Sequence, residues 1–341
     1  MESVQIVERP LSRRTYPKIR LEACSACQLK CPSCPTASKA ILPTIGNGFL
    51  RLEDFRKLVD ESPWLREIEL SNYGEIFLNP QLLSILEYAH TRGVHVSAEN
   101  GVNLNNVREE VLEGVVKYGV RRMTCSIDGV SQSSYARYRV GGDLDTVIRN
   151  IKTINRYKAQ YRSPYPKLRW QFILFGHNEH ELEAARSFAR SLDMQFRPKL
   201  SWDEKLSPWS DEVATGEFGV PSRAAFKARN GRDYMAGICL QLWDEPQINW
   251  DGKVLGCCRN FWGDFGGNAM EDGLQQALSG EKIEYARRML MGQAPHRDDL
   301  PCSNCDIYLS RRVNNDWIKR PEETSMARRL LRGLRRKLRG A

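Results

Sequence analysis

Three cysteines within eight residues constrain this chain more than any other feature. Cys27, Cys31 and Cys34 stand in the run CSACQLKCPSC with the spacing Cys-x3-Cys-x2-Cys. Three thiolates on one tight loop can hold three irons of a cubane [4Fe–4S] cluster and leave the fourth iron without a protein ligand. An electron carrier normally caps all four irons with cysteine, so an open iron suits a site where a small molecule binds the metal. Cys24 extends the run to Cys-x2-Cys-x3-Cys-x2-Cys, which puts its three-residue gap elsewhere than a bacterial ferredoxin does. Zinc ribbons and fingers separate their cysteine pairs by about a dozen residues or more, far beyond the gap here.

With 341 residues the chain can build one large core or two modest ones. Its ten cysteines are bunched, the N-terminus lacks the apolar stretch of a secretory signal, and no apolar run is long enough to span a membrane. Cysteines grouped this way read as iron–sulfur ligands of a cytoplasmic protein and not as a disulfide framework. The net charge is +9, but residues 326–341 hold Arg328, Arg329, Arg332, Arg335, Arg336, Lys337 and Arg339 and no acid. The rest is nearly neutral and shows no basic stripe interleaved with aromatics, so no nucleic-acid partner is expected. Leu330, Leu331, Leu334 and Leu338 share a helical face in that tail, which reads as a basic amphipathic helix for an anionic membrane surface or an acidic partner.

Between residues 18 and 199, short apolar strands alternate with amphipathic helices, the pattern of a parallel sheet wrapped by helices. Strands are expected at 18–23, 67–71, 95–98, 122–127, 167–175 and 195–199. Helices are expected near 52–60, 80–91, 107–117, 147–154 and 179–192. Polar residues gather after the strands, where parallel β/α folds keep their chemistry. The cysteine loop follows the first strand, Gly74-Glu75 the second, Glu99-Asn100 the third, Ser126 and Asp128 the fourth, and His177-Asn178 the fifth. From 201 to 236 prolines and glycines interrupt any period, which reads as a linker with a partial lid.

A second cysteine set, Cys239, Cys257, Cys302 and Cys305, lies in the C-terminal third. Asp251-Gly252 is a hairpin turn that brings Cys239 and Cys257 together, and the later Cys-x2-Cys can cap the same metal. Spacing alone leaves structural zinc and an iron–sulfur cluster equally open.

The first spacing resembles that of the radical S-adenosylmethionine (SAM) superfamily. The second set resembles that superfamily's auxiliary-cluster domain, SPASM, in its shortened twitch form. The resemblance covers about residues 18 to 310. It implies a partial (β/α)6 TIM-like barrel over 18–200, after an N-terminal extension at 1–17. It further implies a linker at 201–236, a small twitch domain over 237–310, and a basic tail at 311–341. The implied cofactors are SAM and two [4Fe–4S] clusters, one on Cys27, Cys31 and Cys34 and one auxiliary on the second set. In the superfamily SAM chelates the open iron, and its reductive cleavage releases a 5′-deoxyadenosyl radical; a flavodoxin or ferredoxin would supply the electron. Residues matching the SAM-binding positions are Gly74, Glu75, Asn100, Ser126, Asp128 and Asn178. Cys125 should pack in the core, on the opposite face of its strand from Ser126.

The catalytic candidates are Cys258, whose thiol can donate a hydrogen atom as an epimerase requires, and Arg197 and Lys199, which can bind an anion or move a proton. The resemblance implies hydrogen abstraction from a small polar substrate, a sugar or aminocyclitol, by a dehydrogenase or epimerase. The butirosin-pathway dehydrogenase of 2-deoxy-scyllo-inosamine is the nearest functional type. Peptide modification is the alternative, although the stretch before the first strand is short for a leader-binding domain. A non-catalytic iron–sulfur or zinc protein is the third reading.

Overall fold

The computed structural model describes residues 15–319. The amphipathic helix expected in the basic tail lies outside the described residues. Six strands lie parallel and adjacent in chain order: β1 (Lys18–Leu21), β2 (Glu67–Glu69), β3 (His95–Val102), β4 (Arg122–Ser126), β5 (Lys167–Leu174) and β6 (Gln195–Leu200). The sheet does not close into a ring. Beyond β1 it continues into β7 (Gln247–Ile248), parallel to β1, and β8 (Val254–Gly256), antiparallel to β7. The hairpin expected at Asp251-Gly252 is therefore an extension of the barrel sheet.

Strand alternation divides the molecule into two layers. Ile19, Leu21, Ile68, Leu70, Val96, Ala98, Met123, Leu168, Trp170 and Phe172 are buried toward the helices. They meet apolar faces such as Phe55, Leu58 and Val59 of the helix Leu52–Asp60, and Val147, Ile151 and Ile154 of the helix Leu144–Gln160. Each fully buried aliphatic or phenyl side chain contributes about 1.5–3 kcal/mol relative to exposure. Cys125 lies in this layer as expected, fully buried.

The other face of the sheet is polar. The register sets Gln247, Arg20, Glu69 and Ser97 side by side on neighbouring strands, and likewise Ser126, Gln171 and Arg197. Closed barrels of this kind usually fill such positions with Val, Ile and Leu, so this interior is built to meet something polar.

The structure departs from the sequence reading in two places. β3 runs four residues past its expected end and takes in Asn100-Gly101, a residue pair whose chemistry favours turns. A β-bulge between Ala98 and Val102 absorbs the extra length, and a side chain at Gly101 would lie 2.6 Å from Ser126 Oγ. The segment read as irregular carries two helices, Asp211–Phe218 and Arg223–Asn230. Ser210 and Ser222 cap their N-termini, and Gly219 and Gly231 end them in the left-handed conformation.

Candidate active site

Cys27, Cys31 and Cys34 sit on the loop after β1, against an apolar wall of Leu29, Tyr138, Ile173 and Phe175. Two nitrogens approach their sulfurs. Asn103 Nδ2 donates toward Cys27 Sγ at 3.7 Å, and Arg139 Nη1 toward Cys31 Sγ at 3.8 Å. Burial, then the neighbouring Glu75 and the other two thiols, pushes the Cys27 thiol up to about 12. Cys24 turns away, its sulfur accepting from the Ala26 amide at 3.3 Å.

Gly74 and Glu75 fasten this loop. The Glu75 amide donates to the Ala26 carbonyl at 2.8 Å, and the Gly74 amide donates to Glu22 Oε1 at 3.2 Å. The contact is so close that a Cβ on Gly74 would lie 2.1 Å from the Cys24 carbonyl oxygen. The Glu75 carboxylate points inward, accepting from the amides of Phe77 and Asn103, and burial pushes it up to about 7. Through Asn103 it orients a donor to Cys27.

Several of the expected SAM-binding side chains have other partners. Asp128 is fully buried and accepts from Arg139 Nε and from the Ile173 amide, both at 2.7 Å. Asn178 spends its amide on the turn after β5, accepting from the Phe175 amide and donating to the Ile173 and Asp128 carbonyls. Both side chains shape the site, Asp128 by aiming Arg139 at Cys31 and Asn178 by bracing the turn after β5. The Asn100 amide donates to Glu69 Oε1 and to Ser71 Oγ, while its side chain pairs with Asn72 at the surface. Ser126 is buried beside Gly101 and Gln171 on the polar face.

Two acceptors on the polar face have no partner among the described residues: Glu69 Oε2 and Gln171 Oε1, both buried. Glu69 Oε1, by contrast, takes the amides of Ser71, Glu99 and Asn100. Arg20 lies beside Glu69, and Cys258 is close enough to act electrostatically on both Arg20 and Lys199. Two of the catalytic candidates, Cys258 and Lys199, thus lie within electrostatic reach of one another. Arg197 joins them from the same face of β6.

The second cysteine set also comes together. Cys257, Cys239 and Cys305 all act on the half-buried Cys302 thiol and, after desolvation itself, push it up. Arg311 stands beside Cys239 and Arg259 beside Cys305. Among the described residues no three His, Cys, Asp or Glu side chains converge on one ion position. A cubane binds each thiolate through a different iron, so its cysteines surround a volume and do not converge on a point.

A model of the radical SAM superfamily matches residues 21–189, and a model of SPASM, an iron–sulfur cluster-binding domain, matches residues 239–306. The chain carries a radical SAM domain followed by a SPASM domain. The AdoMet-dependent heme synthase of Methanosarcina barkeri (strain Fusaro / DSM 804) is 26% identical over 141 residues, 40% of this chain and 39% of that protein. The chain therefore spans only about two fifths of the length of that curated relative. Among solved structures, Streptococcus suis SuiB bound to S-adenosylmethionine aligns with a TM-score of 0.61 at 13% identity, covering 86% of this chain and 71% of SuiB. Native anSMEcpe with bound AdoMet aligns at 0.56 and 14% identity, covering 85% of this chain and 86% of that one. At such identities the likeness is one of fold.

The two domains imply SAM and iron–sulfur clusters, and the residues present suit them. In the radical SAM domain, Cys27, Cys31 and Cys34 would hold a cluster, with two N–H donors beside their sulfurs. In the SPASM domain, Cys239, Cys257, Cys302 and Cys305 would hold another. Sequence reading missed Arg20, Glu69 and Gln171, although polar residues at alternate positions of buried strands were a readable signal. It also missed Asn103, Arg139, Arg259 and Arg311, whose roles arise only from tertiary contacts.

Proposed function

We propose that this chain is a radical SAM enzyme that abstracts a hydrogen atom from a C–H bond of a small polar substrate such as a sugar or aminocyclitol, ending in dehydrogenation or epimerisation. Bound at Cys27, Cys31 and Cys34, the cluster and SAM supply a 5′-deoxyadenosyl radical. The protein's task is then to hold a C–H bond near it and keep water out. The observation that carries the polar-substrate reading is the pair of unpartnered buried acceptors, Glu69 Oε2 and Gln171 Oε1. Leaving such atoms unfilled costs about 1–3 kcal/mol each, and a hydroxyl or ammonium donor would satisfy them. We assign to Cys258 the return of a hydrogen atom in an epimerisation. In a dehydrogenation no thiol donor is needed, and a cluster held by Cys239, Cys257, Cys302 and Cys305 would be the acceptor for the substrate's electron. No helix among the described residues is long and apolar enough to cross a membrane, and a cytoplasmic location with a flavodoxin-like or ferredoxin-like reductant fits oxygen-sensitive clusters.

Peptide modification is the second reading, favoured by Trp202 and Trp209, which stand 47% and 71% exposed close to the strand ends and could seat an extended segment. The test is anaerobic turnover with a strong reductant, SAM and panels of polyols, sugars and short peptides, following 5′-deoxyadenosine and product mass. The triple Ala variant of Cys27, Cys31 and Cys34 should form no 5′-deoxyadenosine. Formation at the wild-type rate by that variant would falsify the assignment of the SAM site. Cys258→Ser should leave dehydrogenation intact and abolish epimerisation.

A further inference from the structure

The C-terminal end of β6 gathers positive charge that the fold does not fully neutralise. Arg197 and Lys199 project from the same face of β6, two residues apart, opposite Gln171 and Ile173 of β5. Arg223, at the start of the helix Arg223–Asn230, donates from Nε to the carbonyl of Leu200 at 3.1 Å, which sets its guanidinium next to Lys199. The Tyr234 ring stacks on that guanidinium at 4.7 Å. Among the described residues none of the three forms an ion pair, and neither Arg197 nor Lys199 has a hydrogen bond from its side chain. Of the nearby acids among the described residues, Asp128 holds Arg139, and Asp233, which accepts from the Met235 amide, is the one carboxylate left to offset Arg223. Lys199 is half-buried, its side chain on the polar face of the sheet and within electrostatic reach of Cys258. Its pKa is lowered by burial and then by Arg197 and Arg223.

Three cations held together with too few carboxylates to balance them repel one another, and an anion relieves that repulsion. We propose that Arg197, Lys199 and Arg223 form a subsite for an anionic group of the substrate, a carboxylate or a phosphate, near Cys258. This rests on the radical SAM reading and narrows it. A sugar phosphate or sugar acid fits the site, with its hydroxyls toward Glu69 and Gln171, whereas a cationic aminocyclitol does not. The anion is assigned to the substrate and not to the carboxylate of SAM for a positional reason. Arg223 belongs to the segment between the two domains and has Arg259 of the SPASM side as its neighbour, while Cys27, Cys31 and Cys34 lie on the loop after β1.

The test uses cluster-loaded protein with saturating SAM, titrated anaerobically with inorganic phosphate and, separately, acetate in a calorimeter. Wild type should bind at least one of them saturably. Lys199→Gln and Arg223→Gln should bind it about tenfold or more weakly, the scale of one lost charge-assisted contact. Lys199→Arg should stay close to wild type, and Arg66→Gln, an exposed residue at the opposite end of the barrel, should be unchanged. SAM affinity should be the same in all of them, and Arg66→Gln should form uncoupled 5′-deoxyadenosine at the wild-type rate. Because Lys199 has no partner to lose, its Gln variant should fold. Competition between phosphate and SAM, or lost SAM affinity in Lys199→Gln, would reassign the cations to SAM and overturn the proposal. Equal binding by every variant, or no saturable binding by wild type, would overturn it as well. Failure of wild type to cleave SAM is read separately and would count against the enzyme reading.

Discussion

Each cysteine set has a guanidinium at its side. Arg139 reaches Cys31 and is itself fixed by Asp128; Arg311 and Arg259 stand beside Cys239 and Cys305. The Nε atoms of Arg311 and Arg259 are buried and have no hydrogen-bond partner among the described residues, so they remain available to sulfur. Reducing an iron–sulfur cluster adds one negative charge, and hydrogen bonds to its sulfurs raise its potential. Arg311→Gln should therefore lower the potential of the SPASM cluster, each tenfold loss in the reduction equilibrium amounting to about 59 mV for one electron. The potential of the SAM-binding cluster should not move. Redox titration followed by electron paramagnetic resonance reads both, and an unchanged SPASM potential would reduce Arg311 to a clamp on Asp316 and the Ala236 carbonyl.

Glu22 gives a second prediction at this scale. Burial pushes its carboxyl from an ordinary 4.5 up to about 8, against the lowering effect of the Tyr73 and Gly74 amides that it accepts. Between those values the folded chain keeps a proton that the unfolded chain has released, so stability falls as pH rises. The slope is about 1.4 kcal/mol per pH unit for one group. Glu22→Gln keeps an acceptor for the two amides and removes the titration. Melting of the cluster-loaded protein from pH 5 to 8 should show the wild type losing stability faster than the variant, and parallel curves would dismiss Glu22 as the source.

At the scale of elements, the turn after β2 and the cysteine loop are one unit, joined by the Glu75 amide and by the approach of Gly74 to the Cys24 carbonyl. A methyl group cannot fit there without moving backbone. Gly74→Ala should cost about 3 kcal/mol or more and lower iron content at the SAM-binding site while sparing the SPASM site, as iron and sulfide analysis would show. Where local pattern decides an element, the sequence was legible. Residues 52–60 were read as a helix and are one, because Phe55, Leu58 and Val59 make an apolar stripe. Asn100-Gly101 was misread because its local chemistry favours a turn, while its place in β3 depends on Ser126 in another strand. The helices at 211–218 and 223–230 were missed because their apolar stripes are weak; their serine caps and glycine stops were the available signal. Asp128 and Asn178 were correctly seen as polar residues at strand ends. Which partners they hold depends on contacts no linear pattern carries.

At the scale of the whole molecule, the two metal sites share one sheet. β7 lies against β1, Arg20 opposite Gln247 and Leu21 opposite Ile248, and the buried Arg20 donates from Nε to Gln247 Oε1 at 3.2 Å. A chain leaves the ribosome from its N-terminus, so β1 emerges long before its partner, separated by more than 200 residues. Until then β1 presents a bare strand edge, the kind of surface on which nascent chains stick to one another. Pairing across such a stretch is also slow, because the connecting chain must first be drawn in. The last strands to be synthesised therefore shield the first. A cell producing this protein has to guard that edge until residues 247–256 have been made, and overproduction at high temperature should yield aggregates seeded at β1.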